Sequence, residues 1–240
     1  PRSTLDRSSA ASDVYKRQGK WYAADVVAKE NEGRYQRSDS QFRNWITQDG
    51  TQGPSGSDGF RAEADRYHLY VGHACPWAHR SLIFRSLKGL EDKISLSVVH
   101  WHMGQNGWNF AHGDGVIPDP NMNARYLYQI YTKADPHFSG RVTVPVLWDK
   151  HLNVIVNNES SEIIRMFNSA FNEFTPVKKD YYPEYLVEEI NLINSNIYLE
   201  LFSNMIGLQC QFVKKLKIGE NTIRVLYQFC LLYTSPRPRA

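Results

Sequence analysis

Thiols are scarce in this chain. It holds three cysteines, Cys75, Cys210 and Cys230, too few and too scattered for the disulfide framework of a small secreted domain. That fits a reducing compartment, and the expected location is the cytoplasm. No apolar run reaches the roughly 18 residues needed to span a bilayer, so no membrane partner is expected. No secretory signal, internal repeat or low-complexity tract is visible. Charge of one sign is also missing in bulk. The formal net charge is +3, and Arg2, Arg7, Arg17, Arg237 and Arg239 at the two ends supply much of it. Such a mild surplus points to no nucleic-acid partner.

What is present suits a globular protein: hydrophobic residues make up 42% and aromatics 13%, enough to build a real core. The two ends stand apart. Asp13-Val14-Tyr15-Lys16-Arg17-Gln18 can be written in codons as GATGTGTATAAGAGACAG. The opposite strand, read from its second base, encodes Cys-Leu-Leu-Tyr-Thr and the start of a serine codon. This matches Cys230-Leu231-Leu232-Tyr233-Thr234-Ser235. Both ends therefore read as one short DNA element translated in opposite directions, similar to the transposase end of sequencing libraries. Residues 1–18 and 230–240 are set aside on that ground, and 19–229 reads as a fragment of a longer protein.

Within that fragment, residues 19–59 form a polar N-terminal extension containing the loop "TQDGTQGPSGSDG", with "FRNWI" expected as one turn of helix. "RYHLYVG" alternates and is rich in β-formers, so a strand is expected. After Pro76, Trp77, Leu82, Ile83 and Leu87 recur at near-helical spacing, and Gly89 is a natural stop. "ISLSVVHW" predicts a second strand, residues 102–124 an irregular insertion, and "RYLYQIYTKA" a helix. "VTVPVLWD" and "VIV" predict two strands joined at "KHLN"; "NESSEIIRMFNSAF" and "YLVEEINLINSNIY" predict further helices. Pro145 inside the third strand would remove a ladder donor, so it marks an edge, a bulge or a cis peptide. The order strand, helix, strand, helix, strand, strand, helix predicts a thioredoxin-like α/β domain over 60–172. The first helices of an all-α domain follow over 180–229, incomplete.

Cys75 falls at the strand-to-helix junction, in "ACPWAHR". A helix start presents unpaired N–H groups and the positive end of a dipole, and Pro76 suits the first helical position. Cys75 is expected at or beside the N-cap with its sulfur facing those groups, which would lower the thiol pKa. His79 and Arg80, a turn later, would add positive potential. A lone cysteine is most often a buried structural thiol; its place at this junction argues for a nucleophile. Ala78 stands where a resolving cysteine would complete a C-x-x-C pair. An external thiol must then resolve the oxidised form, and glutathione is the abundant one in cells.

A second constellation combines "TVPVLWD" with "NNESSEII". A cis proline beside the redox helix would expose the backbone of Val144 to pair with an extended peptide. Glu159 and Ser160 open the next helix. The Ser160 N–H and hydroxyl suit a carboxylate, and Glu159 suits an ammonium group. Those are the two ends of a γ-glutamyl group. The plainer alternative makes Ser160 the N-cap and Glu159 a first-turn acid.

Together, "HLYVGHACPWAHRSLIFRSLKGLEDKISLSVVHWHMGQNGWNF", "RYLYQIYTKADPHFSGRVTVPVLWDK" and "IVNNESSEIIRMFN" resemble the glutathionyl-hydroquinone reductases, Xi-class relatives of omega-class glutathione transferases. The resemblance implies a thioredoxin-like N-terminal domain followed by a truncated all-α glutathione-transferase C-terminal domain. It implies Cys75 as nucleophile, Trp108 as a lid over glutathione, Val144 as its backbone clamp, and Glu159 with Ser160 as its γ-glutamyl site. It further implies glutathione as co-substrate with no metal, an aromatic quinone-derived substrate, and a homodimeric parent. Other readings are an omega-type thioltransferase or dehydroascorbate reductase using the same cysteine, and a non-catalytic binding module of the same fold. The pattern stops at Tyr198: the family's substrate-site tyrosines have no counterpart in "LELFSNMIGLQCQFVKKLKIGENTIRVLYQF", and none is carried over.

Overall fold

The computed structural model describes residues 39–104 and 106–197, together with the backbone strands at 15–17, 20–22, 212–218 and 221–227. The expectations for the remainder of both ends, and for Cys210, lie outside these residues. In chain order the elements are β1 (Tyr15–Arg17), β2 (Lys20–Tyr22), β3 (Trp45–Thr47), β4 (Gly59–Arg61), β5 (Tyr67–Val71), α1 (Pro76–Leu87), β6 (Ile94–Val98), α2 (Leu127–Ala134), β7 (Gly140–Arg141), β8 (Val146–Asp149), β9 (Val154–Asn157), α3 (Ser160–Ser169), α4 (Val187–Ile197), β10 (Phe212–Ile218) and β11 (Asn221–Tyr227). They fall into two compact units, residues 1–183 and 184–240.

In the first unit the central sheet has the order β6-β5-β8-β9. β5 and β6 run parallel, with Leu69 opposite Leu96; β8 is antiparallel to β5, with Leu147 opposite Leu69, and β9 antiparallel to β8. A strand flanked on both sides reads as a continuous apolar run, and all five residues of β5 are buried. Leu69, Val71, Val146, Leu147 and Trp148 fill the sheet, and Ile163, Phe167 and Phe171 close over it. This is the expected thioredoxin-like domain. Arg66 lies beside the start of β5 and pairs with the fully buried Asp149, its Nε 2.9 Å from Oδ2. The other Asp149 oxygen accepts the N–H groups of His151 and Leu152, which shapes the "KHLN" turn.

α1 starts where the sequence predicts. Cys75 is its N-cap and Pro76 its first residue. Its end is a Schellman motif: the Gly89 N–H reaches the Ser86 carbonyl and the Leu90 N–H the Arg85 carbonyl, both at 2.9 Å. Gly89 takes φ +61°, a left-handed value that glycine adopts without steric cost.

Three expectations need correction. "FRNWI" is not helical. Residues 42–44 run extended along β9, with an Arg43–Asn157 bridge and the Asn44 N–H 3.0 Å from the Val156 carbonyl. The outer edge of β9 offers unpaired backbone groups, and pairing with them outweighs one isolated helical turn. β3 then pairs in parallel with β4, and Ile46 points into the core. "VTVPVLWD" is not one strand either: β8 begins only at Val146, after a cis Val144–Pro145 peptide. In the second unit, α4 is the helix expected there, but β10 and β11 form an antiparallel pair with Phe212 opposite Tyr227.

Candidate functional site

Cys75 is half-buried, and its N–H is bonded to the Gly72 carbonyl at 3.0 Å. Its side chain makes no cap hydrogen bond, and Sγ lies 3.6 Å from the Val144 carbonyl oxygen. A neutral thiol carries a proton to donate, and a carbonyl accepts it. Val144, predicted as the backbone clamp, thus lies directly beside the predicted nucleophile.

Gly72 explains how closely these parts approach. A Cβ placed there would sit 3.1 Å from Val99 Cγ2, 3.5 Å from Val144 Cγ2 and 3.6 Å from Trp108 Cζ3. Cys75, Val144 and Trp108 therefore gather around one glycine. Trp108 is half-buried against the core, and its carbonyl accepts from the Leu127 N–H at the start of α2, 2.9 Å.

The insertion carrying Trp108 is fastened from beneath by Asp119, which sequence reading left unassigned. Asp119 is 3% exposed; it accepts the Tyr70 hydroxyl at 2.8 Å and the N–H groups of Asn121, Met122 and Ala124. Pro118 and Pro120 on either side were the one available hint of an ordered turn. The Val98–Ile117 bridge adds a strand-like contact on β6. Beneath Tyr70, His68 lies between Ser95 Oγ (2.7 Å) and Ser97 Oγ (2.8 Å). Burial holds it neutral and pushes its pKa down to about 4. Such a histidine is a satisfied core group.

Glu159 and Ser160 open α3, but their capping roles are exchanged relative to the plainer expectation. Glu159 is the N-cap and Ser160 the first helical residue. Glu159 Oε1 accepts Ser161 N–H at 3.2 Å and Ser161 Oγ at 3.0 Å, while Oε2 accepts Ser40 Oγ at 3.1 Å. Ser160 is 1% exposed. Arg80 crosses from α1 to this helix start, with Nε 2.9 Å and an Nη 2.7 Å from Ser160 Oγ. The Cys75 helix and the Glu159–Ser160 turn are thereby joined through one side chain. One turn further, Glu162 accepts Arg43 Nε (2.8 Å), Ser55 Oγ (2.7 Å) and Asn157 Nδ2 (2.7 Å), which ties the N-terminal segment to α3. Glu162 holds the Arg43 guanidinium more firmly protonated than usual.

A hollow of about 780 Å³ opens within the insertion between Asn109, Phe110, Arg125 and Tyr126. Cys75, Val144, Glu159 and Ser160 do not line it. The candidate site is assigned to Cys75 and Val144, with Glu159 and Ser160 tied to the Cys75 helix through Arg80. Among the described residues, no cluster of three or more His, Cys, Asp or Glu side chains could hold a metal ion. Nor, among them, is any helix long and apolar enough to cross a membrane.

Comparison with known proteins bears on this arrangement. Residues 74–170 match the glutathione S-transferase N-terminal domain family. The chain is 55% identical over 181 residues to glutathionyl-hydroquinone reductase YqjG of Escherichia coli, covering 75% of this chain and 55% of that protein. The glutathione-bound structure of YqjG superposes with a TM-score of 0.68 at 50% identity, over 77% of this chain and 54% of that one. Glutathionyl-hydroquinone reductase PcpF of Sphingobium chlorophenolicum is 51% identical over 180 residues, 75% of this chain and 54% of that protein. The glutathione-S-transferase Xi of Phanerochaete chrysosporium superposes with a TM-score of 0.63 at 49% identity, covering 68% and 54%. The chain spans about half the length of the curated relatives it matches. With a thioredoxin-like sheet, an N-cap cysteine on its first helix and this degree of identity, residues 74–170 carry a glutathione S-transferase N-terminal domain similar to that of the Xi-class transferases.

Proposed function

We propose that this chain is the glutathione-binding part of a glutathionyl-hydroquinone reductase, with Cys75 as its nucleophile and glutathione as co-substrate. The observation that carries the reading is the placement of a lone cysteine at the N-cap of α1 against the Val144 carbonyl, with Ala78 where a resolving thiol would stand. In the reaction, the Cys75 thiolate attacks the sulfur of a glutathione joined to a hydroquinone ring. A sulfur–sulfur bond forms and the carbon–sulfur bond breaks. The electron pair stays with the ring carbon, which takes a proton and leaves as hydroquinone. A second glutathione thiolate then attacks the mixed disulfide, releasing oxidised glutathione and the Cys75 thiolate. Two glutathione sulfurs, the thioether of the conjugate and one free thiol, thus supply the two electrons as they join in oxidised glutathione, and neither metal nor prosthetic group is required. The helix start favours the thiolate over the thiol, and fixed in-line geometry speeds the exchange.

Glutathione is held in this reading by the Val144 backbone, by Trp108 over its body, and by Glu159 and Ser160 at its γ-glutamyl end. The working compartment is the cytoplasm and the parent enzyme is a homodimer. The omega-type thioltransferase reading uses the same cysteine; the long insertion containing "GQNGWNF" favours the hydroquinone reductase.

Glu159→Ala is expected to weaken glutathione binding by about 1.5–3 kcal/mol, the scale of a hydrogen bond involving a charged group. Calorimetric titration measures it. An unchanged affinity would leave Glu159 as a helix cap only, since its contacts with Ser161 and Ser40 satisfy that role by themselves.

A further inference from the structure

We propose that Arg80 is a positioning residue of the glutathione site, one that commits the Ser160 hydroxyl proton to the ligand's γ-glutamyl carboxylate. The inference rests on the reading of Glu159 and Ser160 given above and adds a residue that does not itself touch glutathione.

A serine oxygen has one proton to give and two lone pairs to receive with. Two nitrogens of the Arg80 guanidinium lie 2.9 and 2.7 Å from Ser160 Oγ, so its planar fork donates to that oxygen from one side. The hydroxyl proton is turned away from the cation and left to donate. A serine at a helix start ordinarily turns its oxygen to accept a backbone N–H, but here Glu159 is the cap and accepts from Ser161 instead. The Ser160 side chain is therefore relieved of capping and held as a donor. A guanidinium on its oxygen also polarises the O–H bond, which strengthens it as a donor toward an anion.

The Arg80 side chain is itself held in place. One Nη is 3.6 Å from Glu159 Oε1, and the guanidinium lies 5.0 Å from the Trp77 ring centroid. Trp77 and Arg80 belong to the helix that Cys75 caps. The stretch "CPWAHR" thus supplies both the nucleophile and the side chain that orients the distant γ-glutamyl turn, a link of 80 residues in sequence between Arg80 and Ser160. Lysine cannot reproduce this geometry. Its ammonium is a single point of charge, whereas guanidinium presents a planar fork.

The test is a double-mutant cycle on the 240-residue chain, read by calorimetric titration with reduced glutathione. Ser160→Ala and Arg80→Lys are each expected to weaken binding about tenfold, and the double variant no more than either alone, because both remove the same donated proton. Independent losses that multiply to about a hundredfold would overturn the proposal while leaving the γ-glutamyl reading standing. So would Arg80→Lys binding as tightly as the unaltered chain while Ser160→Ala binds weakly. A Ser160→Ala variant with unaltered affinity would overturn both together. Arg80→Gln, in the same cycle, repeats the test without the charge, and thermal unfolding of each variant confirms that the folded chain is what is titrated.

Discussion

Replacing Cys75 by serine in an intact version of the reductase proposed above is expected to abolish release of hydroquinone from its glutathionyl conjugate, a fall of roughly a thousandfold or more. Serine keeps the size and the helix start but not the nucleophile: a hydroxyl is scarcely ionised near neutral pH, whereas a thiol at a helix N-terminus is. The reaction has no other thiol in reach within its own motif, because position 78 is alanine. Cys210→Ser is expected to leave the rate close to that of the unaltered protein. The check is a rate assay following hydroquinone and oxidised glutathione together. Equal turnover by the Cys75→Ser protein would remove the mechanism and leave a glutathione-binding module of this fold.

The second large effect lies in the core. Arg66→Met is expected to destabilise the folded chain by about 3–5 kcal/mol, the penalty for leaving a buried carboxylate without its cation. Asp149 is fully buried and the Arg66 side chain only 12% exposed, so solvent screens this pair little. The Arg43–Glu162 pair makes a useful contrast. Its arginine is 36% exposed and its carboxylate keeps Ser55 and Asn157 as further donors, so Arg43→Met should cost much less. Urea unfolding of the two variants compares them. Similar losses would show that burial of Asp149 does not decide the outcome, through the two backbone N–H groups that also serve it.

Much of the thioredoxin-like domain was legible because its signals are local. "RYHLYVG" carries strand residues between breakers, Pro76 marks a helix start, and Gly89 marks its end; each shows its conformation in its own residue type. "FRNWI" was misread for the opposite reason. Its conformation is imposed by the free edge of β9, more than 110 residues later, and no local pattern encodes that partner. "VTVPVLWD" failed by a lesser margin: the proline was recognised as an irregularity, but its position at the strand's start was not.

The site divides in the same way. The helix-start position of Cys75 was legible from its junction, and the irregular backbone at Val144 from the proline that follows it. The approach of the Cys75 sulfur to a carbonyl 69 residues away was not readable. Arg80 was read as a source of positive potential for the thiol, while its guanidinium reaches across to Ser160. Asp119 went unnoticed because an acid between two prolines looks like any surface turn; only its burial and its bond to Tyr70 identify it as the anchor of the insertion.

Exchange of the Cys75 thiol with glutathione is tested by incubating the chain with oxidised glutathione and mapping the adduct by peptide mass spectrometry. One glutathionyl group is expected, on the peptide containing Cys75, reversed by added reduced glutathione, with Cys210 and Cys230 unmodified over the same time. Adducts spread evenly over the three cysteines, or confined to Cys210 and Cys230, would contradict it.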